Sequence, residues 1–223
     1  MSKHLFPLNS FFPFWDKLSS NQQEILNSSI SEKTFKKSTR LYSGDKECLG
    51  LILVRSGTIR AFIVSDSGRE ITLYRLLQGD ICLFSAACIM NSIQFKINLE
   101  MEEDVETYIL KPTPYEQLVA KSTLISNYTN EIMSSRFSEV MWTLEQILFK
   151  SMDSRIAQFL LEQSAMQDTD TLTLTHEQVA KNLGSAREVV TRLLKYFQEE
   201  KYVKLTRGKI ELLNKRALNK LTE

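Results

Sequence analysis

Cysteine and histidine are scarce in this chain: 223 residues include 3 cysteines and 2 histidines. Cys48, Cys82 and Cys88 form an odd, sparse set, which argues against a disulfide framework and fits a reducing compartment. Three thiols cannot supply a four-thiolate iron–sulfur cluster. His4 stands near the start and His176 far down the chain, outside the region of β character described below. A metal-dependent jelly-roll enzyme needs a cluster of His and Glu ligands, and that inventory is missing. The chain is therefore read as a non-enzyme with no metal site. Long apolar runs are missing too, so no bilayer span is expected. The opening "MSKHLFP" lacks the apolar core and small-residue cleavage pattern of a signal peptide. A cytoplasmic protein with no membrane partner is the expectation.

Net charge is nearly absent, at +1, but it is unevenly spread. Residues 1–150 hold 16 Lys+Arg and 17 Asp+Glu, whereas residues 172–221 hold 11 and 5, a net of +6. A local basic excess is the electrostatic footprint of a phosphate-binding surface. A solvated, lysine-rich face would give the same count.

The pattern of elements changes along the chain. "WDKLSSNQQEILNS" (15–28) reads as a short helix. "LGLILVRSG", "TIRAFIV" and "ITLYRLL" read as strands, the last two joined in a hairpin by "SDSGRE". "FKINLEM" and "ETYILK" are further strands, and Pro112 and Pro114 close the region. Short strands between Gly-bearing turns suggest a sandwich, jelly roll or small barrel. From about Tyr115 to Lys150 glycine and proline are absent, and a long helix is expected. Met133, Phe137, Val140, Leu144 and Ile147 follow a 4-3-4-3 spacing, a coiled-coil seam. Such a seam either meets a second copy of the chain or packs on the chain's own β-domain. Asp153 or Ser154 is the expected cap of the next helix.

"AKNLGSAREVVTRLLK" (180–195) carries the clearest local signal. Thr175 with Gln178, and Ser185 with Glu188, each fit a capping box, and Gly184 between them suits a left-handed helix end. Two helices joined by a tight turn result. On a wheel of the second helix, Ala186, Val189, Val190, Leu193, Leu194 and Phe197 share one arc. Arg187, Glu188, Thr191, Arg192, Lys195 and Gln198 share the opposite arc. Arginine can bond guanine bidentately, glutamate can accept from a cytosine amine, and lysine or threonine can hold phosphates. Ordinary surface charge on an amphipathic helix, with Glu188 serving only as a cap partner, is the plainer reading. The hairpin "YVKLTRGKIELL" adds Lys204, Arg207 and Lys209 in the manner of a wing.

The segment "THEQVAKNLGSAREVVTRLLKYFQEEKYVKLTRGKIELLNKRAL" resembles the winged helix–turn–helix of the Crp/Fnr family of bacterial transcription regulators. "GREITLYRLLQGD" is similar to that family's sensor domain, and the 115–150 helix matches its dimer helix in place. The resemblance implies an α+β chain in three parts. These are an N-terminal double-stranded β-helix (a jelly-roll or β-roll of cyclic-nucleotide-binding type, 1–114), a long dimerisation helix (115–150) and a C-terminal winged helix–turn–helix (151–223). It implies base reading by Arg187, Glu188 and Arg192. Backbone contacts are expected from Thr175, Gln178, Ser185, Thr191, Lys195 and Lys209. The partners implied are double-stranded DNA, a second copy of the chain and RNA polymerase. The half-sites implied are of TGA type in an inverted repeat, read by two recognition helices roughly 34 Å apart.

The sensor region departs from several family patterns. In "GDICLFSAACIMNSIQFKINL", Phe84 falls where cyclic-nucleotide binders carry a glutamate, and Gln94-Phe95 where they carry an Arg-Ser pair. A cyclic phosphate needs a cation or several N–H donors, so no cyclic nucleotide is expected. Neither is an iron–sulfur cluster, since no cysteine precedes Cys48, nor haem, given the histidines. Cys82 and Cys88 are either a thiol switch or small apolar core residues. Tyr74, Phe84, Phe95 and Tyr128 would line a pocket for an uncharged or aromatic effector, or else fill a closed core. A β-roll interaction module whose helix–turn–helix is only structural is the alternative. It would show no salt-sensitive DNA affinity.

Overall fold

A computed structural model describes residues 7–41, 49–85 and 97–223. His4, Cys48, Cys88, Gln94, Phe95 and Lys96 lie outside the described residues. The strands in chain order are β1 (Ile30–Phe35), β2 (Arg40–Leu41), β3 (Leu51–Ser56), β4 (Ile59–Val64), β5 (Glu70–Leu76), β6 (Ile81–Cys82), β7 (Asn98–Met101), β8 (Val105–Leu110), β9 (Thr171–Leu172), β10 (Val203–Thr206) and β11 (Lys209–Leu212). The helices are α1 (Ser20–Ser28), α2 (Pro112–Lys121), α3 (Thr123–Phe149), α4 (Met152–Gln167), α5 (His176–Leu183), α6 (Arg187–Glu199) and α7 (Lys215–Thr222). The chain divides into two units, Met1–Ile63 with Leu73–Val140, and Val64–Thr72 with Met141–Glu223.

The first unit holds two four-stranded sheets, ordered β1-β8-β3-β6 and β2-β7-β4-β5. β3 is buried along its whole length, which explains its unbroken apolar run. Its Ile52 and Val54 enter a core shared by both sheets, with Phe35, Ile59, Ala61, Leu76, Leu99 and Val105. Its Leu51 and Leu53 point the other way, into a cluster with Phe11, Phe12, Leu26, Tyr115, Leu118 and Ile125. That second cluster covers the sheet with the N-terminal segment, α1 and α2. Within 15–28 the expected helix is a short 3-10 turn at Trp15–Lys17 followed by α1, whose capping box joins Ser19 and Gln22.

The helix expected over 115–150 is two helices. Ser122 is extended, with φ −129° and ψ 111°. Its N–H donates to Leu118 O and its carbonyl accepts from Ser126 N, each at 2.9 Å. One serine thus closes α2 and opens α3 without glycine or proline. At the next junction the cap position is Ser151, not Asp153 or Ser154, both of which lie inside α4.

The second unit gathers α4 to α7 and the sheet β10-β11-β9. α6 contributes Val190, Leu194 and Phe197, all fully buried. They pack with Ile156 and Leu160 of α4, Val179 and Ala180 of α5, Val203 and Ile210 of the hairpin, and Leu218 of α7. Burying each such side chain is worth about 1.5–3 kcal/mol. Residues 64–72 belong to this unit as well. Ile71 there forms an isolated antiparallel bridge with Leu183, and Thr72 Oγ1 donates to Asn182 Oδ1 at 2.8 Å. Gly184 follows α5 with φ 68°, a left-handed conformation that L-residues rarely adopt. A Cβ built on it would meet Ile71 Cδ1 at 3.1 Å. Gly184→Ala is therefore expected to lower stability by about 1–2 kcal/mol, read as a shift of the urea midpoint followed by circular dichroism.

Candidate nucleic-acid interface

The corner between α5 and α6 is held from three sides. At its entrance, Thr175 Oγ1 accepts from Gln178 N at 3.2 Å while Gln178 Oε1 accepts from Thr175 N at 2.8 Å, the expected capping box. Thr175 Oγ1 also donates to Gln178 Oε1 at 3.0 Å, so both side chains are engaged in capping. At the turn, Arg155 Nη2 donates to Leu183 O at 2.6 Å. Burial holds this guanidinium below its ordinary pKa. Beyond the turn, Ser185 N donates back to Ala180 O at 3.0 Å.

The second expected capping box is not formed. Ala186 is the N-cap of α6 and offers no side-chain acceptor. The start is shifted by one residue: Ser185, whose N–H still closes the end of α5, lies one position before the cap. Glu188 is consequently the second helical residue, and its carboxylate has no capping role. Among the described residues it makes no hydrogen bond or ion pair, not even with Arg192 one turn on. The same holds for Arg187, Arg192 and Lys195. All four are exposed, and Thr191 between them is half-buried. With Tyr196 and Glu199 they line one groove of about 660 Å³ along α6.

A second recess of about 280 Å³ opens beside the start of this groove. Thr175, His176 and Glu177 of the α5 entrance, Arg187 of α6, and Thr206, Arg207 and Gly208 of the β10–β11 turn line it. His176 Nδ1 lies 3.0 Å from Thr191 Oγ1, tying the first residue of α5 to the middle of the α6 face. Partial burial, with Arg187 and Lys195 nearby, holds the imidazole below its ordinary pKa. Lys209 is exposed on β11 and Ser185 is half-buried at the turn. Sequence reading passed over His176, whose only signal was its place next to the Thr175 cap. It also passed over Tyr196, which follows Lys195 on the wheel.

The other expected site residues separate. Of the α3 seam, Met133 and Val140 are half-buried against the first unit's own clusters, whereas Phe137, Leu144 and Ile147 are exposed. The outward stripe at heptad spacing is Phe137, Met141, Leu144 and Leu148, with Phe137 67% and Leu148 63% exposed. In the sensor region, Tyr74 and Phe84 lie together, ring centroids 6.5 Å apart. The Tyr74 hydroxyl is buried and has no hydrogen-bond partner among the described residues. Burial, with the Cys82 thiol nearby, raises its pKa. Arg136 lies over the Tyr74 ring at 5.0 Å and is paired with Asp80 and Glu139, each at 2.9 Å. Tyr128 does not join this group. Its hydroxyl donates to Phe11 O at 2.7 Å, its ring meets Phe14 at 5.3 Å, and burial pushes its pKa up to about 12. Cys82 is a free, buried thiol, its pKa raised by burial. No group of three or more His, Cys, Asp or Glu side chains able to hold a metal occurs among the described residues. No helix there is long and apolar enough to cross a membrane.

Residues 154–221 match the Crp-like helix-turn-helix domain. The cyclic AMP receptor protein of Thermus thermophilus is 28% identical over 173 residues, covering 77% of this chain and 78% of that protein. The fumarate and nitrate reduction regulatory protein of Vibrio cholerae is 27% identical over 201 residues, covering 85% and 78%. A Crp/Fnr-family regulator from Thermus thermophilus shares the fold, with a TM-score of 0.67 at 23% identity over 86% of this chain and 98% of that one. A crystal structure from Eubacterium rectale, of a protein assigned to the crp/fnr family of transcriptional regulators, matches with a TM-score of 0.91 at 47% identity, covering 95% of this chain and 98% of that one. With that likeness along nearly its whole length, and a Crp-like helix–turn–helix as its DNA-binding domain, this chain belongs to the Crp/Fnr family of transcription regulators.

Proposed function

We propose that the chain acts in the cytoplasm as a homodimer that reads an inverted repeat with TGA-type half-sites. Residues 1–114 serve as the sensor, 115–150 as the dimerisation segment and 151–223 as the reader. The supporting observation is the face of α6. Arg187, Glu188 and Arg192 stand exposed on one side of a helix whose other side carries the fully buried Val190, Leu194 and Phe197, and none makes a hydrogen bond or ion pair among the described residues. Side chains in that condition are available to base edges, and Lys195 and Thr191 beside them are available to phosphates. Thr175 and Gln178 contribute mainly by fixing the entrance of α5, and Ser185 and Lys209 are the further phosphate contacts of this reading.

The outward stripe of α3 supports the dimer. Four apolar side chains at heptad spacing form a seam that a second copy would cover. RNA polymerase is the further partner expected of a regulator bound this way. The signal, in this reading, is an uncharged or aromatic small molecule received beside Tyr74 and Phe84, where the buried Tyr74 hydroxyl has no hydrogen-bond partner among the described residues. A cyclic nucleotide does not fit these residues. Phe84 cannot accept from a ribose hydroxyl, and Arg136 is already neutralised by Asp80 and Glu139.

Arg192→Ala should weaken binding to an inverted TGTGA-type duplex by about 1–3 kcal/mol and relax preference at one base pair. Lys195→Ala should weaken all sequences alike and reduce the salt slope by about one. Selection from random duplexes compares the two, and identical sequence preferences for Arg192→Ala and the parent would refute the reader assignment. Phe137→Glu should raise the dimer dissociation constant roughly a hundredfold, because a buried, unpaired carboxylate opposes association. Sedimentation velocity across a concentration series measures it, and an unchanged dimer would remove α3 as the seam.

A further inference from the structure

We propose that His176 couples DNA binding to proton uptake, through its hydrogen bond to Thr191 on the recognition face and its place in the recess lined by Arg187 and Arg207. The inference rests on the reading of α6 as the DNA-contacting helix.

Consider first the free protein. His176 is half-buried, its Nδ1 3.0 Å from Thr191 Oγ1. The charged groups facing it come from three elements: Glu177 beside it on α5, Arg187 and Lys195 on α6, and Arg207 at the β10–β11 turn. Three of the four are cations, and the two on α6, together with burial, disfavour the imidazolium. The neutral imidazole is therefore favoured before DNA arrives.

A duplex laid along α6 reverses both influences. Phosphates meet Arg187, Lys195 and Arg207 and cancel the field that opposed the proton. They also place negative charge within reach of the imidazole itself. The proton then changes the hydrogen bonding. Neutral imidazole has one N–H and one acceptor nitrogen, whereas the imidazolium donates from both. With the neutral proton on Nε2, Nδ1 accepts from the Thr191 hydroxyl. Once protonated, Nδ1–H donates to Thr191 Oγ1 instead, and the threonine O–H is released to donate to a phosphate oxygen. One proton thus adds a cation and turns Thr191 outward as a donor.

The sign follows from linkage. A group whose pKa is higher in the complex than in the free protein adds affinity below its free pKa and loses it as pH rises through its bound pKa. Because burial, Arg187 and Lys195 hold the free imidazole below its ordinary pKa and DNA opposes that shift, affinity should climb as pH falls through the neutral range into mildly acidic conditions.

Two measurements test this on the full-length chain. Fluorescence anisotropy at fixed ionic strength gives Kd between pH 5.8 and 8.2 for a random-sequence duplex and for one carrying an inverted TGTGA repeat. The expected result is a rise in parental affinity, relative to His176→Gln, of roughly three- to tenfold per protomer on both duplexes. Proton NMR of the imidazole Cε1–H supplies the second reading without any substitution in the observed protein. Only two histidines are present, and the variant identifies which signal is His176. Its midpoint should rise when the random-sequence duplex is added. Equal pH profiles for parent and variant, or a midpoint that DNA leaves unchanged, would overturn the proposal. Failure of the parent to bind either duplex at any pH would instead overturn the DNA-reading assignment, and this inference with it.

Discussion

The burial of Val190, Leu194 and Phe197 is the constraint on which the rest of the reader depends. These three side chains fix α6 by one face only. On the opposite face Thr191 meets His176 and Gln198 accepts from Leu205 N, while the charged groups Arg187, Glu188, Arg192 and Lys195 are left to meet something outside the molecule. Each surrounding element helps keep that division. α4 and α7 close the core from behind, the β10–β11 hairpin closes one end, and the Gly184 turn sets where α6 begins. Losing the apolar anchor would cost several kcal/mol and would also let the polar face turn inward.

How much of this was legible in the sequence depends on how local each signal is. The reader was legible because helical periodicity, Thr175, Gln178 and Gly184 all act within a few residues of one another. The first error there was also local. Ser185 and Glu188 satisfy a capping pattern in sequence, but the turn moves the cap to Ala186. The β-domain was legible at β3, β4, β5, β7 and β8, whose apolar runs are bounded by turns. It was illegible at β1, where only Phe35 is buried and the polar residues between are held by long-range pairing with β8. β2 and β6 span two residues each, too short for any periodicity to register.

The seam of α3 shows a different limit. A long amphipathic helix offers several ladders at 4-3 spacing, and periodicity does not say which of them faces outward. Packing decides. Met133 and Val140 are taken up by the β-domain's own clusters, so the outward ladder passes through Met141 and Leu148 instead. The same dependence on distant partners split the four aromatic residues grouped in the sensor. Tyr128 is drawn to the N-terminal segment by Phe11 and Phe14, while Tyr74 and Phe84 stay beside Cys82.

The alanine at position 186 bears on more than the placement of Glu188. A serine or aspartate there would accept from a first-turn N–H and stabilise α6 by about 1 kcal/mol. The chain does without it. The leading edge of α6 therefore keeps backbone amides that no side chain of its own cap claims, and it is the least self-sufficient part of a helix otherwise tightly anchored. A thermostability screen of this protein would find position 186 early, and each stabilising cap it accepted would occupy donors at the very edge where the binding face begins.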